Sequence, residues 1–178
     1  MLEARLDELL RELIGSSARG RVIGFCWPFR AEFDARPLVE RYIGLGLRAC
    51  LPVVCGPGTP LLFREWQPGC EMFADRYGIQ TPKIGETLHP DFLLLPVNAF
   101  DVAGYRLGYG AGYFDRTLTE LDPLPLIIGM GFELARIETI RPEAHDIPLD
   151  MVITEKDTEW FCKAKTGFHR SFGIIIAS

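Results

Sequence analysis

Residues 1–14 place Leu2, Leu6, Leu9, Leu10 and Leu13 at mostly three- and four-residue intervals, the spacing of a helix with one apolar stripe, and Gly15-Ser16-Ser17 stops it. The pattern then changes period. Residues 21–27 form a short apolar run between Gly20 and Pro28 and predict a buried strand. Asp34 is placed to cap a second helix with Pro37 in its first turn; Leu38, Val39, Tyr42 and Ile43 line one face, and Gly44 and Gly46 end it. Further strands are predicted over 49–54, 61–66 between Pro60 and Pro68, 92–95, 125–130 and 151–154, with a helix from about Gly112 to Leu121. Residues 67–89, rich in Gly, Pro and polar side chains, predict a long loop with at most a short element. The tail from Glu155 is charged at first and ends in the apolar run 173–176, a pattern open to an edge strand, a packed extension or disorder.

Strands alternating with helices predict an α/β fold, a single three-layer domain over residues 1–178 with a mainly parallel sheet, in which the continuous apolar runs are strands covered on both faces. Composition agrees: 48% hydrophobic and 24% charged residues in 178 suffice for one proper core. A net charge of −5 provides no global basic field for nucleic acid, so an anionic ligand has to be held locally. Cys26, Cys50, Cys55, Cys70 and Cys162 are odd in number and lack zinc-like spacing, which predicts reduced thiols, with Cys50 and Cys55 read as buried strand-end residues. The amino terminus reads as neither signal peptide nor membrane span, and a cytoplasmic monomer without membrane or nucleic-acid partners is expected.

The chemistry concentrates in residues 106–116, where Gly108, Gly110 and Gly112 alternate ahead of an aromatic pair and Asp115. Glycines let backbone amides approach a ligand, and a helix starting near Gly112 adds unpaired amides and a partial positive charge, a cradle for phosphate. Asp115 beside it suits magnesium, which prefers oxygen donors. The plainer alternative is a glycine-rich turn and nothing more, since the spacing matches neither the Rossmann nor the P-loop pattern.

Four blocks then carry a resemblance: Trp27-Pro28-Phe29-Arg30-Ala31-Glu32-Phe33-Asp34, Tyr77-Gly78-Ile79, the glycine run, and His145-Asp146-Ile147-Pro148-Leu149-Asp150. In order and approximate spacing they look like those of the 5-formyltetrahydrofolate cyclo-ligases, over roughly residues 21–154. The resemblance implies a Rossmann-like sheet of the sugar-phosphate isomerase and CoA-transferase type. It also implies an enzyme that uses ATP and Mg2+ to convert 5-formyltetrahydrofolate to 5,10-methenyltetrahydrofolate, releasing ADP and phosphate. On the matching positions it implies Arg106, Tyr113 and Asp115 in catalysis, with Arg106, Gly108, Tyr109, Gly110, Ala111, Gly112, Tyr113 and Phe114 around ATP. Asp115 and Asp146 would share the metal, with Asp150 in reserve, although His145-Asp146-Ile147-Pro148 also reads as a turn whose aspartate caps its own backbone. Glu32 would face the pterin, with Phe29, Tyr77 and Phe100 in the folate site and Trp27 as a further wall. Arg30, Arg64 and Arg116 are either anion partners or surface arginines.

The chain departs from that family in a short segment before the first strand, in Ala111 where relatives carry lysine or glycine, in Phe114 where a second tyrosine is frequent, and in its carboxyl-terminal extension from 155. These departures keep open a catalytically silent folate- or nucleotide-binding paralogue. A sugar-phosphate isomerase or acyl-CoA enzyme of related architecture is a third reading, against which the pairing of Asp115 with Asp146 argues.

Overall fold

The computed structural model describes residues 1–15, 18–108 and 110–161. Helix α1 (Leu2–Ile14) buries the predicted stripe, and Gly15, at φ +59°, donates its N–H to the Arg11 carbonyl at 3.0 Å to close it. Strand β1 (Val22–Phe25) leads to helix α2 (Arg36–Gly44), which buries Leu38, Val39 and Tyr42. Asp34 is not the cap of α2. Ala35 holds that position, and the Asp34 carboxylate is drawn instead to Arg36, accepting its backbone N–H at 3.0 Å and its guanidinium at 2.7 and 2.8 Å.

Strand β2 (Arg48–Val54) and strand β3 (Leu61–Trp66) form an antiparallel hairpin. Cys50 is buried on β2, but Cys55 is exposed, because the strand ends one residue earlier and the chain turns outward. The predicted loop 67–89 holds a second hairpin, β4 (Met72–Ala74) with β5 (Gln80–Pro82), whose strands are too short to show a period. Then come β6 (Phe92–Pro96), β7 (Phe100–Asp101), α3 (Tyr113–Glu120), β8 (Leu126–Met130), β9 (Arg136–Ile137), β10 (Met151–Ile153) and β11 (Thr158–Trp160). The last of these makes residues 158–160 an edge strand antiparallel to β10; Cys162 and the run 173–176 lie outside the described residues.

Seven strands make one sheet in the order β11-β10-β8-β6-β1-β2-β3, parallel from β10 to β2 with an antiparallel strand at each edge. Alternate residues of β6 show why its run is continuously apolar. Phe92 and Leu94 pack with α1 and α2, while Leu93 and Leu95 pack with Leu118 of α3, so the fold is α/β with helices on both faces. The chain runs from β1 to β2 on one side and later returns to place β6 on the other, so the connections diverge between β1 and β6. In parallel sheets, the crevice outside the carboxyl ends of such a strand pair is where ligands are held.

Candidate active site

A cavity of about 450 Å³ opens at that point. Cys26, Trp27 and Phe29 follow β1 into it, Leu95, Pro96 and Asn98 enter from β6, and Leu51, Pro52, Val54 and Leu61 form an apolar floor from the β2–β3 hairpin. Tyr77, Ile79 and Gln80 of the β4–β5 hairpin cover it, and the glycine run with the first turn of α3 makes the remaining wall. Burial, and secondarily Glu32, pushes the Cys26 thiol well above its ordinary range, which favours the protonated form.

The glycine run is fixed at its start and its end. Leu107 donates to the Ala99 carbonyl at 2.9 Å and Arg106 bridges to Phe100, which anchors the run to β7. At the far end Gly112, in the left-handed region at φ +61°, precedes α3. The first backbone bond of that helix is Arg116 N–H to Gly112 O at 3.2 Å, so the amides of Tyr113, Phe114 and Asp115 have no partner a turn earlier in the helix. Thr117 ties the turn down, donating to Tyr113 O at 2.6 Å and accepting from Leu61 N–H at 2.8 Å.

Arg106, only 8% exposed, donates to Asp115 Oδ1 at 3.0 Å and to Ile147 O at 2.7 Å, while Ile147 N–H reaches the same carboxylate oxygen at 3.2 Å. These contacts join the glycine run, α3 and the segment before β10. The hydroxyls of Tyr77 and Tyr113 lie 3.2 Å apart with their rings edge to face at 6.2 Å, and Tyr113 OH is 3.4 Å from Gly56 O. The bond to Tyr77 raises the Tyr113 pKa.

Most of the expected residues meet here. Phe29, Arg30, Glu32, Tyr77, Arg106, Gly108, Ala111, Gly112, Tyr113, Phe114 and Asp115 all line the cavity with Trp27. Glu32 closes its own turn, accepting Phe29 N–H at 2.9 Å. Tyr109 lies outside the described residues, and Gly110, at φ +82°, is not in the lining.

Phe100, Asp146, Asp150 and Arg64 lie outside the lining. Phe100 is fully buried in the core, where Arg136 sits 4.9 Å from the centre of its ring, because its strand β7 pairs with β9. Asp146 accepts Glu143 N–H at 2.7 Å, the turn-capping geometry, and is not in the cavity lining; its neighbour Ile147 is what meets Asp115. Asp150 is no reserve ligand. It is 3% exposed and accepts Ile127 N–H at 2.8 Å at the amino end of β10, the opposite end of the sheet from the cavity. Arg64 donates to the Pro82 and Lys83 carbonyls and only holds the β4–β5 hairpin.

The model of the 5-formyltetrahydrofolate cyclo-ligase family matches residues 10–155. The chain belongs to that family. A 5-formyltetrahydrofolate cyclo-ligase of Escherichia coli (strain K12) is 36% identical over 141 residues, 74% of this chain and 77% of that one. The cyclo-ligase of Mycolicibacterium smegmatis is 30% identical over 166 residues, 86% and 84% of the two chains. The solved structure of Aquifex aeolicus 5,10-methenyltetrahydrofolate synthetase superposes with a TM-score of 0.70 at 30% identity, covering 90% of this chain and 81% of that one.

In this cyclo-ligase family member, the cavity residues that sequence reasoning passed over are Cys26, Pro52, Val54, Leu61, Asn98 and their neighbours. Several had a positional signal. They stand at or just past the carboxyl ends of predicted parallel strands, where the divergence of connections opens the crevice.

Proposed function

We propose that the chain is an ATP- and magnesium-dependent cyclo-ligase that converts 5-formyltetrahydrofolate to 5,10-methenyltetrahydrofolate with release of ADP and phosphate. The observation that carries the reading is that one cavity combines a glycine run and helix start with an apolar aromatic wall of Trp27, Phe29 and Tyr77. Such a cavity suits a molecule with an anionic end beside a flat ring system.

The residues fit a nucleotide. A Cβ at Gly108 or Gly110 would meet nothing within 4 Å, so backbone there is open to close approach, and the free amides of α3 add donors. They also fit magnesium arriving with that nucleotide, since this ion takes one or two carboxylates plus substrate phosphates. Among the described residues no group of three or more His, Cys, Asp or Glu could hold an ion alone. Asp115 is the proposed metal ligand, and Asp146 the proposed second, which it becomes by releasing Glu143. When bound, ATP supplies the phosphoryl group that turns the formyl oxygen into a leaving group.

The remaining work belongs to side chains. Arg106 places positive charge at the cradle, and its bond to Asp115 keeps that carboxylate oriented. Tyr113 anchors the start of α3 beside the cradle through Gly56 and Tyr77. Phe29 and Tyr77 flank the pterin, and Glu32, held by the Phe29 amide, accepts from its amino and ring N–H groups. The proposed setting is the cytoplasm, with one copy of the chain as the working unit.

Two observations favour a second reading, a silent paralogue that binds without turnover: Arg106 already donates to Asp115 and Ile147, and Ala111 supplies no cation. Purified protein with 5-formyltetrahydrofolate, ATP and magnesium is expected to develop methenyltetrahydrofolate absorbance, and to require all three. Binding of folate or nucleotide without product selects the silent reading, and absence of binding to either ligand rejects both.

A further inference from the structure

Arg116 sits in the first turn of α3, where the helix dipole disfavours a cation. Among the described residues no acid lies within ion-pair distance of it, and its Nε is the buried side-chain polar atom left without a hydrogen-bond partner. Buried unsatisfied donors carry a real cost and are uncommon in native structures. The side chain turns back along the helix. Its Nη2 donates to Ala111 O, its Nη1 lies 2.9 Å from where a Cβ on Gly112 would be, and its Cζ is 5.4 Å from the centre of the Tyr113 ring.

Two carbonyls in a row are therefore held by one residue: Ala111 O by the Arg116 side chain and Gly112 O by its backbone N–H at 3.2 Å. A trans peptide carries its C=O and N–H on opposite edges. Carbonyls turned toward Arg116 turn the amides of Gly112 and Tyr113 away from it. Ala111, Gly112 and Tyr113 line the cavity, whereas Arg116 does not. Glycine favours this arrangement, since Gly112 combines φ +61° with the close approach of the guanidinium.

We infer that Arg116 is a positioning residue that acts from behind the cradle, fixing the amides of Gly112 and Tyr113 as a pair of donors for a phosphate group in the cavity. Its charge, with no acid at ion-pair distance among the described residues, adds to the same field. The inference rests on the nucleotide reading of the cavity and adds a residue that acts without touching the ligand.

The test is direct binding, read by calorimetry and by the 15N amide signals of Gly112 and Tyr113. In the unmodified protein, ATP with magnesium is expected to shift both signals. Arg116→Ala is expected to weaken ATP by at least about tenfold, with folate affinity kept within about twofold, and to move those two signals in the free protein. Arg116→Lys, which keeps the charge but not the planar fork, is expected to recover part of the ATP affinity and none of the signal positions. Unchanged ATP binding in Arg116→Ala, or equal losses for ATP and folate, overturns the inference; if that variant does not fold, the same comparison on Arg116→Lys decides. An unmodified protein that binds folate but neither binds ATP nor shifts those amides sinks the nucleotide reading itself, and this inference with it.

Discussion

At the scale of single residues, the carboxylate of Asp115 has two jobs that pull apart under mutation. It faces the cavity as the proposed metal ligand, and it is the counter-charge of a nearly buried guanidinium. Asp115→Asn is thus expected to lower turnover by at least about a hundredfold. It should also cost roughly 1–3 kcal/mol of stability, because Arg106 is left without its anion. Steady-state rates and urea unfolding measure the two effects on one sample; full stability would remove Asp115 from its pairing with Arg106. The glycine run and Asp115 were legible in the sequence because their chemistry is local, a few residues apart. Phe100 and Asp150 were not, since their surroundings come from β9 and β8, 36 and 23 positions on or back: Phe100 pairs with Arg136, and Asp150 bonds Ile127.

Among elements, α1 and α2 meet through a polar contact inside an apolar layer. Tyr42 OH donates to Asp7 at 3.0 Å, and burial first, then that hydrogen bond, pushes its pKa from 10.0 to about 12. The folded value lies above the unfolded one, so the stabilisation is complete below pH 10 and is lost as pH rises through about 12. Tyr42→Phe is expected to lower stability at neutral pH by about 0.5–1.5 kcal/mol, through loss of the bond to Asp7, and to flatten the alkaline limb of a stability-against-pH curve between those values. An alkaline limb identical to that of the parent protein would separate Tyr42 from the effect. The helix stripe and the strand 61–66 could be read from spacing and from the bracketing prolines. The β4–β5 hairpin and β7 could not, because two- and three-residue strands take their identity from the partner rather than from their own sequence.

For the whole molecule, the sheet separates labour between its two ends. The carboxyl ends of β1 and β6 carry the cavity, and the amino end of β10 carries a stitch, Asp150 to the Ile127 amide of β8. Asp150→Ala leaves that amide buried and unpaired, and is expected to cost about 1–3 kcal/mol in urea unfolding with ligand affinities unaltered. Weakened magnesium-dependent binding in that variant would return Asp150 to the metal. The parallel α/β plan was readable from the alternation of runs, while the position of the edge strand β11 depended on β10 being free along one side. The hydroxyl contact between Tyr77 and Tyr113, joining roof to wall, has a kinetic corollary. It is a tie between the β4–β5 hairpin and α3 made by two phenols, so Tyr77→Phe, which removes one hydroxyl, is expected to loosen that hairpin and quicken ligand departure, read by stopped-flow dissociation.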